Sequence, residues 1–125
     1  MGIRLIKIAA VYFVIGVLLG MYMSISHSYT YSSIHAHINL LDWVSLALAG
    51  IVYYLFPAAA ESAAGKVHFW LHNIGLPIMM IGLFLLMNGA ESVEPVIAVG
   101  GVLVTLGIVV FLYNVLTNVR EGARR

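Results

Sequence analysis

The histidines that could do chemistry fall into two short motifs. His35 and His37 stand in HAHINLLDW, and His68 and His72 stand in HFWLHN. Imidazoles four residues apart lie on one face of a helix, and this spacing lets two of them bind one metal ion. Imidazole is also a common axial ligand of haem iron. These four side chains are therefore the candidate ligands for a haem or for a divalent metal, with Zn²⁺ or copper as the metals considered.

Two further polar residues belong to the first motif. Asn39 and Asp42 share a helical stripe with His35, and both could fix the orientation of an imidazole that binds a metal. Asp42 stands about 10 Å below the predicted start of its helix. At that depth its carboxyl group needs a partner, and His35 is one candidate. A protonated Asp42 that bonds to Asn39 is the other, because burial disfavours the charged form.

The composition excludes several classes of protein. Of the 125 residues, 62% are hydrophobic and only 9% are charged, with a mean hydropathy of +1.03. Soluble domains are about 45–50% apolar and about 25% charged, so a water-soluble globule is excluded. The formal net charge of +1 is too small for a nucleic-acid-binding surface. Without cysteine, thiolate metal sites and cysteine nucleophiles are excluded as well.

Four apolar runs stand between polar or small-residue breaks. They cover about 3–24, 35–56, 67–87 and 95–117, and each is close to the roughly 20 residues that cross a bilayer. The sequence therefore predicts an all-α integral membrane four-helix bundle that forms one domain over 1–125. We expect a lipid bilayer to surround this bundle, and the predicted location is a bacterial inner (plasma) membrane.

The basic residues predict the orientation of these helices. All of them stand near the two ends of the chain or in its middle loop: Arg4, Lys7, Lys66, Arg120, Arg124 and Arg125. The positive-inside rule then places both termini and the middle loop in the cytoplasm. Tyr53, Tyr54 and Trp70 are expected at the cytoplasmic headgroup level. Glycines that share helix faces, such as Gly16 with Gly20 and Gly75 with Gly82, predict close helix packing or, beside the histidines, a flat slot for a macrocycle.

The run SSIHAHINLLDWVSLALAGIVYYLFP, followed by KVHFWLHNIGLPIMMIG, resembles the small four-helix, cytochrome c oxidase-like proteins grouped with haem-copper oxidase subunit I. The resemblance covers most of the chain, and the two histidine motifs in order are its most specific part. It implies haem b bound by His35 or His37, and a role in electron transfer, haem handling or assembly of a respiratory complex. The chain departs from the family at LLDW, where relatives read LLGW, so the role of Asp42 is not assigned. It also lacks the later helices that carry the copper ligands, so it is not expected to be an enzyme on its own.

Successive helices alternate in direction, which separates the two histidine motifs. With a hydrocarbon core of about 30 Å and His72 at most about 9 Å past its helix start, the two pairs are not expected to share one iron within a subunit. The sequence thus allows two sites, or a homo-oligomer in which equivalent histidines meet around a haem, Zn²⁺ or copper.

Two other functions fit the same residues. One is an accessory subunit that packs on a larger membrane complex such as a respiratory oxidase, with its histidines as interhelical hydrogen-bonding groups. The other is a proton or ion pathway through Asp42, Asn39, His35 and His72, since ionisable groups within a membrane are candidates for such pathways. Apolar residues at Leu46, Ala49 and Ile81 argue against a continuous polar line.

Overall fold

The computed structural model describes residues 1–121 and is helical almost throughout this range. Its long helices, called here the first to fourth helix, span Gly2–Ser26, Ser32–Leu55, Ala63–Met87 and Glu94–Asn118. All four are long and apolar enough to cross a membrane, with mean hydropathies of 2.2, 1.6, 1.8 and, counting the turn Glu91–Val93 that precedes the fourth, 2.6. The all-α class is confirmed, and the described residues form four long apolar helices, as predicted. The basic residues Arg124 and Arg125 lie outside the described part of the chain.

The middle of the second helix differs from the prediction. Residues Ile38–Ser45 form a π-helix between the α-helical segments Ser32–His37 and Leu46–Leu55. Turns of a π-helix are wider, and the Ser45 hydroxyl donates to the carbonyl of Leu40, five residues back, at 2.8 Å. As a result, the buried stripe runs through Ile34, Ile38, Asp42 and Leu46, while His35 and Asn39 lie beside it.

The connection between the second and third helices is also more helical than predicted. Pro57–Glu61 forms a short helix, and the third helix begins at Ala63 rather than near residue 67. Alanine favours helix strongly and proline suits a first turn, so this segment continues the helical structure on both sides of Ser62. Ser62 caps the third helix, because its hydroxyl accepts a hydrogen bond from the Gly65 amide at 3.0 Å.

Close packing occurs within two hairpins. The first helix packs along the second, and the third packs along the fourth. A Cβ added to Gly100 would lie 2.6 Å from the Met79 backbone nitrogen, and one added to Gly75 would lie 2.9 Å from the Leu103 Cβ. The slot beside the third-helix histidines is therefore filled by the fourth helix.

The two ends of the bundle differ in charge. The start of the first helix, the connection 56–62 and the end of the fourth helix lie together, since a Cβ on Gly2 would touch Tyr54 and Asn114 bonds to Ala59. We call this the basic end, because Arg4, Lys7 and Arg120 belong to these segments and Lys66 lies in the first turn of the third helix, directly after the connection. The opposite end holds the connections 27–31 and 88–93.

Candidate functional site

Four polar side chains are completely buried among the described residues: Asp42, His68, His72 and Asn114. They come from the second, third and fourth helices. Burying a polar group without a hydrogen bond is costly, so the bonds of these four groups decide what the site can do.

His68 and His72 form part of a continuous hydrogen-bonded chain. The rings of the pair meet at 3.0 Å between His68 Nε2 and His72 Nδ1. The Tyr53 hydroxyl of the second helix lies 2.7 Å from His68 Nδ1, and His72 Nε2 lies 3.3 Å from the Leu41 carbonyl oxygen. The pair therefore joins two points of the second helix, one near the basic end and one in the π-helix.

The Leu41 carbonyl sets the direction of every bond in this chain. A carbonyl oxygen only accepts, so His72 Nε2–H donates to it, and in a neutral imidazole Nδ1 is then an acceptor. His68 Nε2–H consequently donates to His72 Nδ1, and the Tyr53 O–H donates to His68 Nδ1. All four ring nitrogens are engaged, and binding of a metal by either ring requires one of these bonds to break.

Asn114 of the fourth helix continues the chain at the basic end. Its Nδ2 donates to the Tyr53 hydroxyl oxygen at 3.4 Å and to the Ala59 carbonyl at 3.0 Å. Its Oδ1 accepts from Asn118 Nδ2 at 2.7 Å and from the Ser62 hydroxyl at 3.1 Å. The Asn114 amide thus donates to the Tyr53 hydroxyl oxygen, and this bond favours the orientation in which the Tyr53 O–H points toward His68.

Asp42 contrasts with this chain. It follows Leu41 directly and has no exposed surface, yet neither carboxylate oxygen has a hydrogen-bond partner among the described residues. The predicted bonds to His35 and Asn39 are not formed. Asn39 Nδ2 instead donates to the His35 carbonyl at 2.9 Å, because both residues lie beside the buried stripe.

His35 and Asn39 pack on the glycine face of the first helix. A Cβ added to Gly20 would lie 2.8 Å from His35 Nε2, and one added to Gly16 would lie 2.9 Å from Asn39 Oδ1. The backbone of the first helix therefore covers the Nε2 edge of the His35 ring, which leaves no room there for an iron atom.

His37 has the geometry of a ligand. Its Nδ1 lies 2.7 Å from the Ser33 carbonyl oxygen, so Nδ1 carries the proton and the Nε2 lone pair is directed away from the helix backbone. The ring lines an apolar surface pocket of about 230 Å³ with Ala36, Leu40 and Leu41.

The structure does not assemble the four predicted ligands into one site. His72 approaches the second helix at Leu41, one turn after His37, so the two pairs lie closer in depth than the sequence suggested. The described residues nevertheless contain no group of three or more His, Cys, Asp or Glu side chains that could hold a metal ion.

Sequence reasoning missed two members of the hydrogen-bonded chain. Tyr53 was expected at the headgroup level, but it is 2% exposed, whereas Tyr54 and Trp70 are exposed. Tyr53 continues the helical stripe formed by Leu46 and Ala49, and this spacing was the signal in the sequence that could have predicted its burial. Asn114 was overlooked, although an amide within the apolar run FLYNVL is itself a sign of an interhelical contact.

Fold and site together define an all-helical protein with four helices that can span a membrane and a buried, directed hydrogen-bonded chain between them. No known protein family, curated protein or solved structure matches the sequence.

Proposed function

We propose that this chain is a membrane protein that carries protons from its basic end to the buried carboxylate of Asp42. The observation that supports the proposal most is the unidirectional chain Tyr53–His68–His72, which ends at the carbonyl of Leu41, one residue before Asp42. Proton relays within membranes are built from His, Tyr and carboxyl groups of this kind. The polar line that the sequence did not reveal runs from Tyr53 through the two imidazoles to the Leu41 carbonyl.

The transfer moves one proton along three side chains. Tyr53 gives its hydroxyl proton to His68 Nδ1 while it takes another from water. His68 gives its Nε2 proton to His72 Nδ1. The His72 ring then leaves the Leu41 carbonyl and gives its Nε2 proton to the carboxylate of the next residue, Asp42, which becomes neutral. Both imidazoles end as the opposite tautomer, and rotation of the rings restores the starting state. The net change is one proton taken from water and one carboxylate protonated.

Asp42 fits the role of acceptor for a physical reason. A carboxylate with two unbonded oxygens in an apolar interior is unfavourable, and proton uptake removes its charge. The basic end would face the cytoplasm by the positive-inside rule, so the protons would be taken up from that side.

Infrared difference spectroscopy after a pH jump tests this function. The purified protein is expected to show a carboxylic-acid C=O band that appears on acidification and is absent from Asp42→Asn. In Tyr53→Phe the band should appear at least about tenfold more slowly, since a step with a positioned proton donor contributes about 10²–10⁴-fold to a rate. Tyr113→Phe is the matched control, because the Tyr113 side chain is exposed on the surface of the fourth helix.

Two results would contradict the proposal. One is a protonation band that is the same in Asp42→Asn, which would show that Asp42 is not the acceptor. The other is an unchanged rate in Tyr53→Phe, which would show that protons reach Asp42 by another route.

A second candidate function is supported by His37 alone. The fixed Nδ1 proton and the outward Nε2 lone pair suit a haem b or a divalent metal held between the His37 rings of two copies, in a homo-oligomer serving electron transfer or a respiratory complex. When bound, a haem would supply one-electron redox chemistry. The surrounding Ala36, Leu40 and Leu41 would exclude water from that site.

Cofactor content tests this second function. Protein made with ample haem and metals is expected to show haem absorption bands or stoichiometric Zn or Cu, and His37→Ala should lose them. His27→Ala, which changes a histidine in the connection at the same end, should keep them. Cofactor-free protein, or an equal loss in both variants, would reject the site and leave the accessory-subunit interpretation for this region.

A further inference from the structure

The proposed relay needs a source of protons at Tyr53. Its neighbour Asn114 cannot be that source. Asn114 is the only side chain that the structure places in hydrogen-bond contact with Tyr53 on the side of the basic end within residues 1–121. An amide N–H is not acidic, so it can orient the Tyr53 hydroxyl but does not replace the proton that leaves it. The replacement proton has to reach Tyr53 from water.

A cavity of about 330 Å³ opens beside Tyr53 at the basic end. It lies between the start of the first helix, the end of the second and the short helix Pro57–Glu61, with Met1 at its rim. At about 30 Å³ per water molecule, the volume accommodates about ten waters. Tyr53 belongs both to the wall of this cavity and to the buried chain.

The titratable groups that line the cavity are few. They are Tyr53, Tyr54, Glu61 and Lys66. Glu61 is the only carboxylate among them, and its side chain is exposed to solvent. It is thus the group in the lining that attracts a hydronium ion, while Lys66 opposes this attraction.

We propose that this cavity is the water-filled entry port of the relay and that Glu61 collects protons there for Tyr53. The proposal rests on the proton-carrying function argued above and assigns its entry site. Glu61 takes a proton from bulk water and passes it to water in the cavity. That water gives a proton to the Tyr53 oxygen as the Tyr53 O–H proton moves to His68 Nδ1. Glu61 returns to its charged state, so atoms and charges balance.

The rate of Asp42 protonation after a pH jump tests the port. Glu61→Gln keeps the shape of the side chain and removes its charge, and uptake at low ionic strength is expected to slow by about tenfold. The difference should shrink at about 1 M salt, where the screening length is about 3 Å. Lys66→Gln should change the rate in the opposite direction. The matched control is Glu91→Gln, an exposed carboxylate at the opposite end, and its rate should equal that of the unchanged protein.

The outcomes separate the port from the relay. If Tyr53→Phe slows uptake but Glu61→Gln and Lys66→Gln both leave its rate unchanged, the relay stands and the port is rejected. An equal slowing in Glu61→Gln and Glu91→Gln also rejects the port, because only overall charge then matters. If Tyr53→Phe has no effect, the relay itself fails.

Discussion

The two histidine pairs of this chain are held in different ways. In the third helix, His68 and His72 are fully buried and use all four ring nitrogens in hydrogen bonds. In the second helix, His35 is held by packing against Gly20, and His37 makes one bond, to the backbone of its own helix. The same residue type thus uses all its ring nitrogens in a hydrogen-bonded chain in one place and keeps an unshared lone pair, on His37, in the other.

The contrast shows that burial alone does not identify a ligand. The buried pair has no lone pair to offer while its bonds persist, whereas half-buried His37 does. Asp42 stands between the two pairs and follows neither pattern, because it is buried and its oxygens are unbonded. Natural proteins rarely leave such groups without a partner, so an orphaned carboxyl points to a bound proton or ligand.

The largest expected effect is the loss of stability when a histidine of the buried pair is replaced, compared with a histidine of the other pair. His68→Leu leaves the Tyr53 O–H without an acceptor and His72 Nδ1 without a donor, and each orphaned group costs about 1–3 kcal/mol. We expect a loss of about 3 kcal/mol in the free energy of unfolding, measured by reversible denaturation in mixed micelles. His35→Leu is the comparison, and it should cost less than about 1 kcal/mol because neither ring nitrogen of His35 has a hydrogen-bond partner among residues 1–121. Equal losses would contradict the proposed difference.

Substitution of Asp42 is expected to change the free energy of unfolding by a smaller amount and in the opposite direction. Asp42→Ala removes two unbonded oxygens from the apolar interior and leaves only a small void, so the protein should become more stable by about 1–2 kcal/mol. The same denaturation experiment measures it, with Ala substitution of the bonded polar residue Asn114 as the control that should destabilise. A loss of stability in Asp42→Ala would mean that the carboxyl group has a partner that the hydrogen-bond geometry does not reveal.

Hydropathy was sufficient to predict the four helices. A helix that crosses lipid must satisfy its own backbone and carry apolar side chains, so composition along the chain fixes the number of spans and their approximate limits. The π-helix at Ile38–Ser45 and the short helix Pro57–Glu61 were not predicted, because a change in turn width or a one-residue break leaves no mark in hydropathy.

The candidate site could be predicted only in part. The i, i+4 spacing correctly placed His68 and His72 on one face, since that relation is local to a helix. Their contacts with Tyr53 and Leu41 join residues 15 and 31 positions apart, and these depend on how the hairpins pack. The partner expected for Asp42 was chosen by spacing within one helix, and the wider π turns moved His35 and Asn39 off its face.

The smallest expected effect on stability tests whether packing against the first helix holds the His35 ring in place. Replacing glycine by alanine within a helix is favourable by up to about 1 kcal/mol where space allows, and Gly101→Ala should show this gain because its new Cβ would meet only Met79 Sδ at 3.8 Å. Gly20→Ala should gain less, since the new Cβ would lie 2.8 Å from His35 Nε2 and the ring must move. Adding His35→Ala to Gly20→Ala should restore the gain, and the double-mutant cycle isolates the contact. Equal gains at Gly20 and Gly101, with no coupling to His35, would show that packing on the first helix does not hold this ring.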